Sequence, residues 1–129
     1  METPTLSPGG TLRIKRRIMP ADKAASPFME LPFHVDAGVT RLDVEMAHEK
    51  SDDCALDIGI LDSRATDYPT RAGFRGWSGS ARSKFFVATD AATPGYYPGQ
   101  MPPGEWKLLM GLYRVPDAGM DVEFTISAD

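Results

Sequence analysis

Cysteine and histidine are nearly absent from this chain, which has one cysteine and two histidines in 129 residues. Cys54 has no second cysteine to pair with, so an intramolecular disulfide and a cysteine-based zinc cage are both excluded within one chain. His34 and His48 are expected on opposite faces of neighbouring strands, which keeps their imidazoles apart. A zinc site needs more ligands than these. The sequence therefore predicts no histidine-based metal centre and no cofactor.

Long apolar runs and a strong charge of one sign are also lacking. The first ten residues are polar and contain prolines, and no segment has the apolar length of a secretory signal or a membrane-spanning helix. A formal net charge of -4 gives no general attraction to polyanions, so nucleic acid and anionic membranes are not expected partners. We interpret the basic cluster at residues 13–17 as the solvated face of a strand. We expect a cytoplasmic protein whose residues 1–10 form a flexible N-terminal tail.

Helical periodicity is scarce, and residues 21–25 and 47–53 are the only short candidates for helices. Apolar residues instead alternate with polar ones, as in strands with one buried face. The alternating apolar residues are Leu12, Ile14 and Ile18; Met29, Leu31, Phe33 and Val35; Leu42, Val44 and Met46; Leu56, Ile58 and Ile60; Phe85 and Val87; Trp106, Leu108, Met110 and Leu112; and Met120, Val122, Phe124 and Ile126. The strand that begins at Trp106 is apolar on most of both faces, which predicts a central position in a sheet.

Turns rich in glycine and proline separate these strands. Residues 115–119 (VPDAG) predict an antiparallel C-terminal hairpin between the last two strands. Many short strands without a βαβ rhythm predict an all-β fold, an antiparallel β-sandwich of the jelly-roll type. A length of 129 residues with 42% hydrophobic residues fits a single domain over residues 1–129.

The stretch from Gly73 to Trp106 places aromatic and arginine side chains among turn residues. Such side chains are favoured in buried protein contacts, and aromatic rings also pack on the faces of sugars. We interpret the stretch as a recognition surface for a partner protein or domain, with a glycan as the alternative. The candidate binding residues are Arg75, Trp77, Arg82, Tyr96, Tyr97 and Trp106, and Arg71 offers a further guanidinium group.

The sequence offers no evident catalytic group. Ser78 lacks the glycine spacing of a nucleophile elbow and no helix pattern follows it, and Cys54 has no base suggested beside it. Several acids near strand ends offer hard oxygen ligands without the spacing of a calcium loop, so we interpret them as turn-stabilising residues. These acids are Asp52, Asp53, Asp57, Asp62 and Asp67. We expect no enzyme activity from this chain alone.

Three sequence blocks, in order, carry a resemblance to a known family. They are residues 74–82 (FRGWSGSAR), residues 93–99 (TPGYYPG), and residues 102–106 (PPGEW) followed by Gly111-Leu112-Tyr113. Together they resemble the N-terminal module that precedes the catalytic domain in certain bacterial metal-dependent phosphoesterases of the polymerase-and-histidinol-phosphatase (PHP) class. The resemblance extends from about Phe28 onward. The last block is also similar to the β-sandwich of pre-peptidase C-terminal-type domains, which bears on fold alone.

The PHP resemblance implies an accessory role. The catalytic part of such enzymes is a barrel that holds metal ions with closely spaced histidines and acids, including a His-x-His pair, and this sequence has no such pair. The resemblance thus implies a non-catalytic accessory or interaction module whose partner is the catalytic domain in cis or another protein. A carbohydrate-binding module is the alternative, and an oligomer remains possible.

Overall fold

The computed structural model describes residues 3–48, 54–65, 72–78 and 83–129. Strands make up nearly all of the regular structure. In chain order the elements are β1 (Thr5–Leu6), β2 (Thr11–Ile18), α1 (Pro20–Ala25), β3 (Phe28–Val35), β4 (Arg41–His48), β5 (Ala55–Leu61), β6 (Phe74–Ser78), β7 (Lys84–Ala88), β8 (Gly104–Arg114) and β9 (Met120–Ala128). No helix among the described residues has the length and apolar character needed to cross a membrane.

The strands form two sheets that pack face to face. One sheet has the order β1-β3-β8-β5-β6, and the other has the order β2-β9-β4-β7. From β2 onward, each strand lies in the opposite sheet from the one before it, except that β6 stays beside β5. All pairings are antiparallel apart from the short parallel contact of β1 with β3. The predicted all-β jelly-roll sandwich is confirmed.

The core lies between the sheets and is built from the residues whose alternation predicted it. On β9, for example, Met120, Val122, Phe124 and Ile126 are all buried while the residues between them are not. The strand β8 is central, as predicted, because it lies between β3 and β5 and is buried on both faces from Leu108 to Leu112.

The predicted C-terminal hairpin is wrong. The turn itself forms, with the Gly119 N–H donating to the Pro116 carbonyl at 2.8 Å. However, β8 pairs with β3 and β5, whereas β9 pairs with β2 and β4 in the other sheet. Both edges of β8 are already occupied, so the chain crosses between the sheets at this turn.

The N-terminal segment and β6 also differ from expectation. Within residues 1–10, expected as a flexible tail, β1 pairs with the end of β3, and Leu6 is buried in the core because it is an apolar side chain at the sandwich edge. The strand β6 lies at the start of the stretch from Gly73 to Trp106, where the turn residues predicted no strand before Phe85. Its glycine and polar residues conceal the alternation, and a register shift in its pairing with β5 interrupts the period.

The two helix candidates have different outcomes. The candidate at residues 21–25 is confirmed as the short helix α1, which begins with Pro20 at its first turn. The candidate at residues 47–53 is wrong for Ala47 and His48, which end β4. Its remaining residues lie outside the described ranges.

Candidate recognition surface

The outward surface of the five-stranded sheet carries a cluster of aromatic side chains. Successive strand residues point to opposite faces, and the pairing aligns Phe28 of β3 with Gly111 of β8, and Trp77 of β6 with Gly59 of β5. Phe28 and Tyr113 are 38% and 61% exposed. We define the aromatic face as Phe28, Phe74, Trp77, Tyr97 and Tyr113.

Trp77 lies across the sheet over two glycines. A Cβ atom at Gly59 would come within 2.6 Å of Cε3 of the indole, and one at Gly111 would come within 3.1 Å of its Cη2. Any larger side chain at Gly59 would therefore displace the ring. Phe28 meets Trp77 edge-on, with ring centroids 6.0 Å apart and an interplanar angle of 71°. These contacts fix an indole that remains partly exposed.

A groove of about 320 Å³ is lined by Phe28, the ring that contacts Trp77. Phe28 and Tyr113 supply aromatic surface to it, and Asp57 and Lys23 supply charges of opposite sign. The Lys23 ammonium donates a hydrogen bond of 2.7 Å to the carbonyl of Tyr113, which ties α1 to the end of β8. Mostly apolar walls with a few polar groups are typical of small-molecule sites.

A second aromatic pair lies at the β6 edge of the same face. The rings of Phe74 and Tyr97 have centroids 6.3 Å apart and are tilted by 56°. The Tyr97 N–H donates to the Arg75 carbonyl at 3.0 Å, which holds the loop against β6. Because Tyr97 is 57% exposed, this pair adds to the exposed part of the aromatic face.

Arg75 points into the interior and organises the loop that follows Tyr97. Its Nε donates to the Tyr97 carbonyl at 2.9 Å, and its Nη1 donates to the Gln100 carbonyl at 2.7 Å. Nη1 also lies 3.2 Å from the carboxylate of Asp62, and both side chains are almost completely buried. That carboxylate raises the pKa of Arg64, first through their side-chain hydrogen bond and then through charge attraction. The Arg75 guanidinium is thus engaged within the fold.

Trp106 and Tyr96 are also interior residues. Trp106 is completely buried, and its indole N–H donates to the Pro102 carbonyl at 2.8 Å. The ring of Tyr96 stacks on Phe85 at 4.1 Å between centroids, and its hydroxyl shares a hydrogen bond of 2.6 Å with Ser78. Both aromatic residues therefore fix the loop at residues 96–106 to the core.

The candidate binding residues thus fall into separate groups. Trp77 and Tyr97 lie on the aromatic face, whereas Arg75, Tyr96 and Trp106 lie in the interior. Arg82 and Arg71 lie outside the described residues. Sequence reasoning missed Phe28, Phe74 and Tyr113, although an aromatic residue on the polar parity of a strand, as at Phe28 and Tyr113, was an available signal.

No group of three or more His, Cys, Asp or Glu side chains that could hold a metal ion is found within the described ranges. His34 and His48 belong to different sheets, and the Nε2 of His34 lies 3.5 Å from a carboxylate oxygen of Asp36. Cys54 is a buried free thiol.

Of the acids considered as calcium ligands, Asp57 lines the groove and Asp62 pairs with arginines. The others, Asp52, Asp53 and Asp67, lie outside the described residues.

Comparison with known proteins adds little. No family model matches this chain, and no curated protein matches it. Among solved structures, the mosquito-larvicidal Cry4Aa toxin from Bacillus thuringiensis matches with a TM-score of 0.40 and 7% sequence identity. The match covers 98% of this chain and 25% of the toxin chain. A likeness at this level supports no assignment of fold or function.

Proposed function

We propose that this domain is a non-catalytic accessory module that docks onto a partner domain through the aromatic face. The supporting observation concerns a sheet surface facing solvent, which is ordinarily polar. This surface carries Phe28, Trp77 and Tyr113, each at least partly exposed, and the exposed Tyr97 of the following loop lies beside them. Clustered exposed aromatic residues mark interaction sites, and aromatic residues are enriched in protein interfaces. The resemblance to the module of PHP-class phosphoesterases suggests that the partner is such a catalytic domain, in cis or in another protein.

The rigidity of the face favours binding. The indole of Trp77 is held by the glycines beneath it and by Phe28, so docking costs little side-chain entropy at this residue. Anchors of this kind often carry most of the binding energy of an interface, and truncating one costs about 2 kcal/mol or more. Binding is therefore expected to depend on the aromatic face more than on charged residues elsewhere.

Calorimetric titration tests the docking proposal. The purified domain is titrated with a PHP-class catalytic domain from the same genome, and Tyr97→Ala and Tyr113→Ala are compared with the unaltered chain. Both rings are exposed, so their loss is expected to weaken binding at least tenfold, roughly 1.4 kcal/mol, without unfolding the domain. Phe86→Ala is the matched control, because Phe86 is a part-exposed aromatic residue of the other sheet, with Arg41 over its ring. Unchanged affinity in both tyrosine variants would refute docking through this face.

A carbohydrate-binding module is the second candidate, and the groove lined by Phe28 and Tyr113 favours it. The C–H faces of a pyranose ring pack well on aromatic rings, while the Asp57 carboxylate can accept, and the Lys23 ammonium donate, hydrogen bonds to hydroxyl groups. The groove volume of about 320 Å³ is in the range of small-ligand sites.

Tryptophan fluorescence separates the two candidates. The chain has two tryptophans, of which Trp106 is buried and Trp77 is partly exposed and contacts Phe28 of the groove. A sugar bound in the groove is therefore expected to change the emission of Trp77 more than that of Trp106. If the domain binds a glycan in this groove, titration with a glycan panel yields a saturable change in tryptophan emission. This change is expected to disappear in Trp77→Phe, which removes the reporting indole, and to need more glycan in Asp57→Asn, which alters the groove. Emission that stays constant across the panel eliminates this candidate and leaves the docking proposal standing.

The proposal includes a cytoplasmic location. Its support is the single buried free thiol of Cys54, which suits a compartment where thiols stay reduced. Fractionation of cells that express the tagged full-length gene product tests this part, and recovery outside the cytoplasm contradicts it.

A further inference from the structure

The four-stranded sheet ends in β2, whose outer edge is open. In the part of the chain that the structure describes, β2 pairs with β9 on one side and with no strand on the other. The Ala128 N–H donates to the Gly10 carbonyl, whereas the Asp129 N–H donates to the Arg41 carbonyl next to β4, each at 3.0 Å. Backbone groups of β9 therefore bond alternately to β2 and β4, as in a regular antiparallel ladder. Gly10 and the even-numbered residues of β2 therefore bond to β9. The odd-numbered residues of β2 direct their N–H and C=O groups the other way, toward the open edge.

Positive charge is concentrated on this same strand. Arg13, Lys15 and Arg17 project from the outer face of β2, and all of them are exposed, as is Arg16. Lys15 and Arg17 lie 3.5 and 3.2 Å from acidic residues of β9. For Arg13 and Arg16, no carboxylate lies within ion-pair distance among the described residues. A chain with a net charge of -4 thus has a strongly basic edge.

A groove with both apolar and cationic walls runs beside this edge. It has a volume of about 590 Å³ and lies between β2 and the chain near β1 and β3. Ile14 and Leu31 line it from the two sheets, and the four cations of β2 line it as well. Ile14 is only partly covered by the core, so an apolar side chain placed in the groove would bury further surface.

We propose that β2 accepts an extended acidic segment of a partner protein as an added strand. The open backbone groups of β2 supply the main-chain hydrogen bonds of such an addition. Acidic side chains on one face of the added strand meet Arg13, Lys15 and Arg17, while the alternate side chains enter the groove beside Ile14. The favoured ligand therefore alternates acidic residues with β-branched apolar residues.

A second copy of this chain is a poor occupant of the same edge. Antiparallel pairing of β2 with another β2 would place cations such as Arg13, Lys15 and Arg17 opposite one another, and like charges in cross-strand positions are destabilising. Charge complementarity thus favours an acidic partner, and the site is separate from the aromatic face on the other sheet.

Fluorescence anisotropy with synthetic peptides tests the proposal. The probe is an eight-residue labelled peptide that alternates glutamate with valine and matches the length of β2. A block peptide of the same composition, with all glutamates before all valines, is the control for alternation. We expect saturable binding of the alternating peptide that weakens with salt, and at least about tenfold weaker binding of the block peptide.

Variants of β2 separate the contribution of a backbone N–H to peptide binding from the contribution of the side-chain charge. Lys15→Pro removes an N–H that points to the open edge and leaves the ladder to β9 intact, whereas Lys15→Ala removes the same charge and keeps the N–H. We expect the proline variant to bind about fivefold or more weakly than the alanine variant. The charge reversal Arg13→Glu with Arg16→Glu is expected to weaken binding about tenfold. Lys84→Glu on β7, the opposite edge of the same sheet, is the matched control and is expected to bind normally.

Three outcomes overturn the proposal. Absence of saturable binding means that the cations only protect an open edge from aggregation. Equal binding of the block peptide, or tighter binding of heparin, means general attraction of polyanions and not strand addition. Equal affinities of Lys15→Pro and Lys15→Ala, with melting temperatures confirming that both are folded, exclude the backbone contact.

Discussion

Replacing Arg75 with methionine tests whether the buried guanidinium group stabilises the loop at residues 97–100. Methionine preserves much of the side-chain length and removes the guanidinium group. The carbonyls of Tyr97 and Gln100 then lose donors at 2.9 and 2.7 Å, and Asp62 keeps Arg64 as its remaining side-chain partner. The side chains of Arg75 and Asp62 are 2% and 0% exposed, so bulk water does not replace the lost bonds.

The expected loss of stability is about 3 kcal/mol. Removing one member of a buried ion pair typically costs about 3–5 kcal/mol, and the retained contact of Asp62 with Arg64 favours the lower end. For 129 residues, an unfolding entropy of roughly 2.1 cal/mol/K per residue converts this loss into a fall in Tm of about 11 °C. A loss of this size is a large fraction of the roughly 5–15 kcal/mol that stabilises an ordinary domain.

Thermal and urea unfolding, followed by circular dichroism, measure this loss. Arg64→Met is the matched control, because Arg64 contacts the same carboxylate but its side chain is 58% exposed. Its loss is expected to cost less than about 1 kcal/mol. Equal falls in Tm for the two variants, or an unchanged Tm in Arg75→Met, would show that the interior guanidinium does not hold the loop.

Three further predictions concern positions where side chains pack closely. Gly59→Val is expected to push the ring of Trp77 off the sheet, lowering stability by about 1–3 kcal/mol and increasing acrylamide quenching of this tryptophan; unaltered quenching would contradict the contact. Gly76→Ala is expected to lower the urea midpoint, because Gly76 has a φ of 137° and lies against the ring of Tyr96; a wild-type midpoint would argue against that packing. Cys54 is 8% exposed and is expected to react slowly with Ellman's reagent until urea unfolds the chain, whereas immediate labelling would show that it is accessible.

Only part of the candidate recognition surface could be predicted from the sequence. Trp77 and Tyr97 lie on the aromatic face, but Arg75 and Trp106 from the same stretch turn inward. Turn composition indicates that such side chains are set by loop geometry without indicating which way they point. The polar parity of Phe28 indicated an outward ring, but which residues lie beside that ring depends on β3, β8, β5 and β6 lying side by side.

The sequence by itself determined which strand residues face the core. Side chains alternate across a strand, so the apolar residues of β3, β4, β5 and β9 could be assigned to the interior from their period alone. The tertiary structure decided which strands pair. The residues at 116–119 specify a chain reversal, but they do not choose between a hairpin and a crossing to the other sheet. That choice depends on which strand edges are free and which faces remain to be covered, and these are properties of the assembled sandwich that no local segment contains.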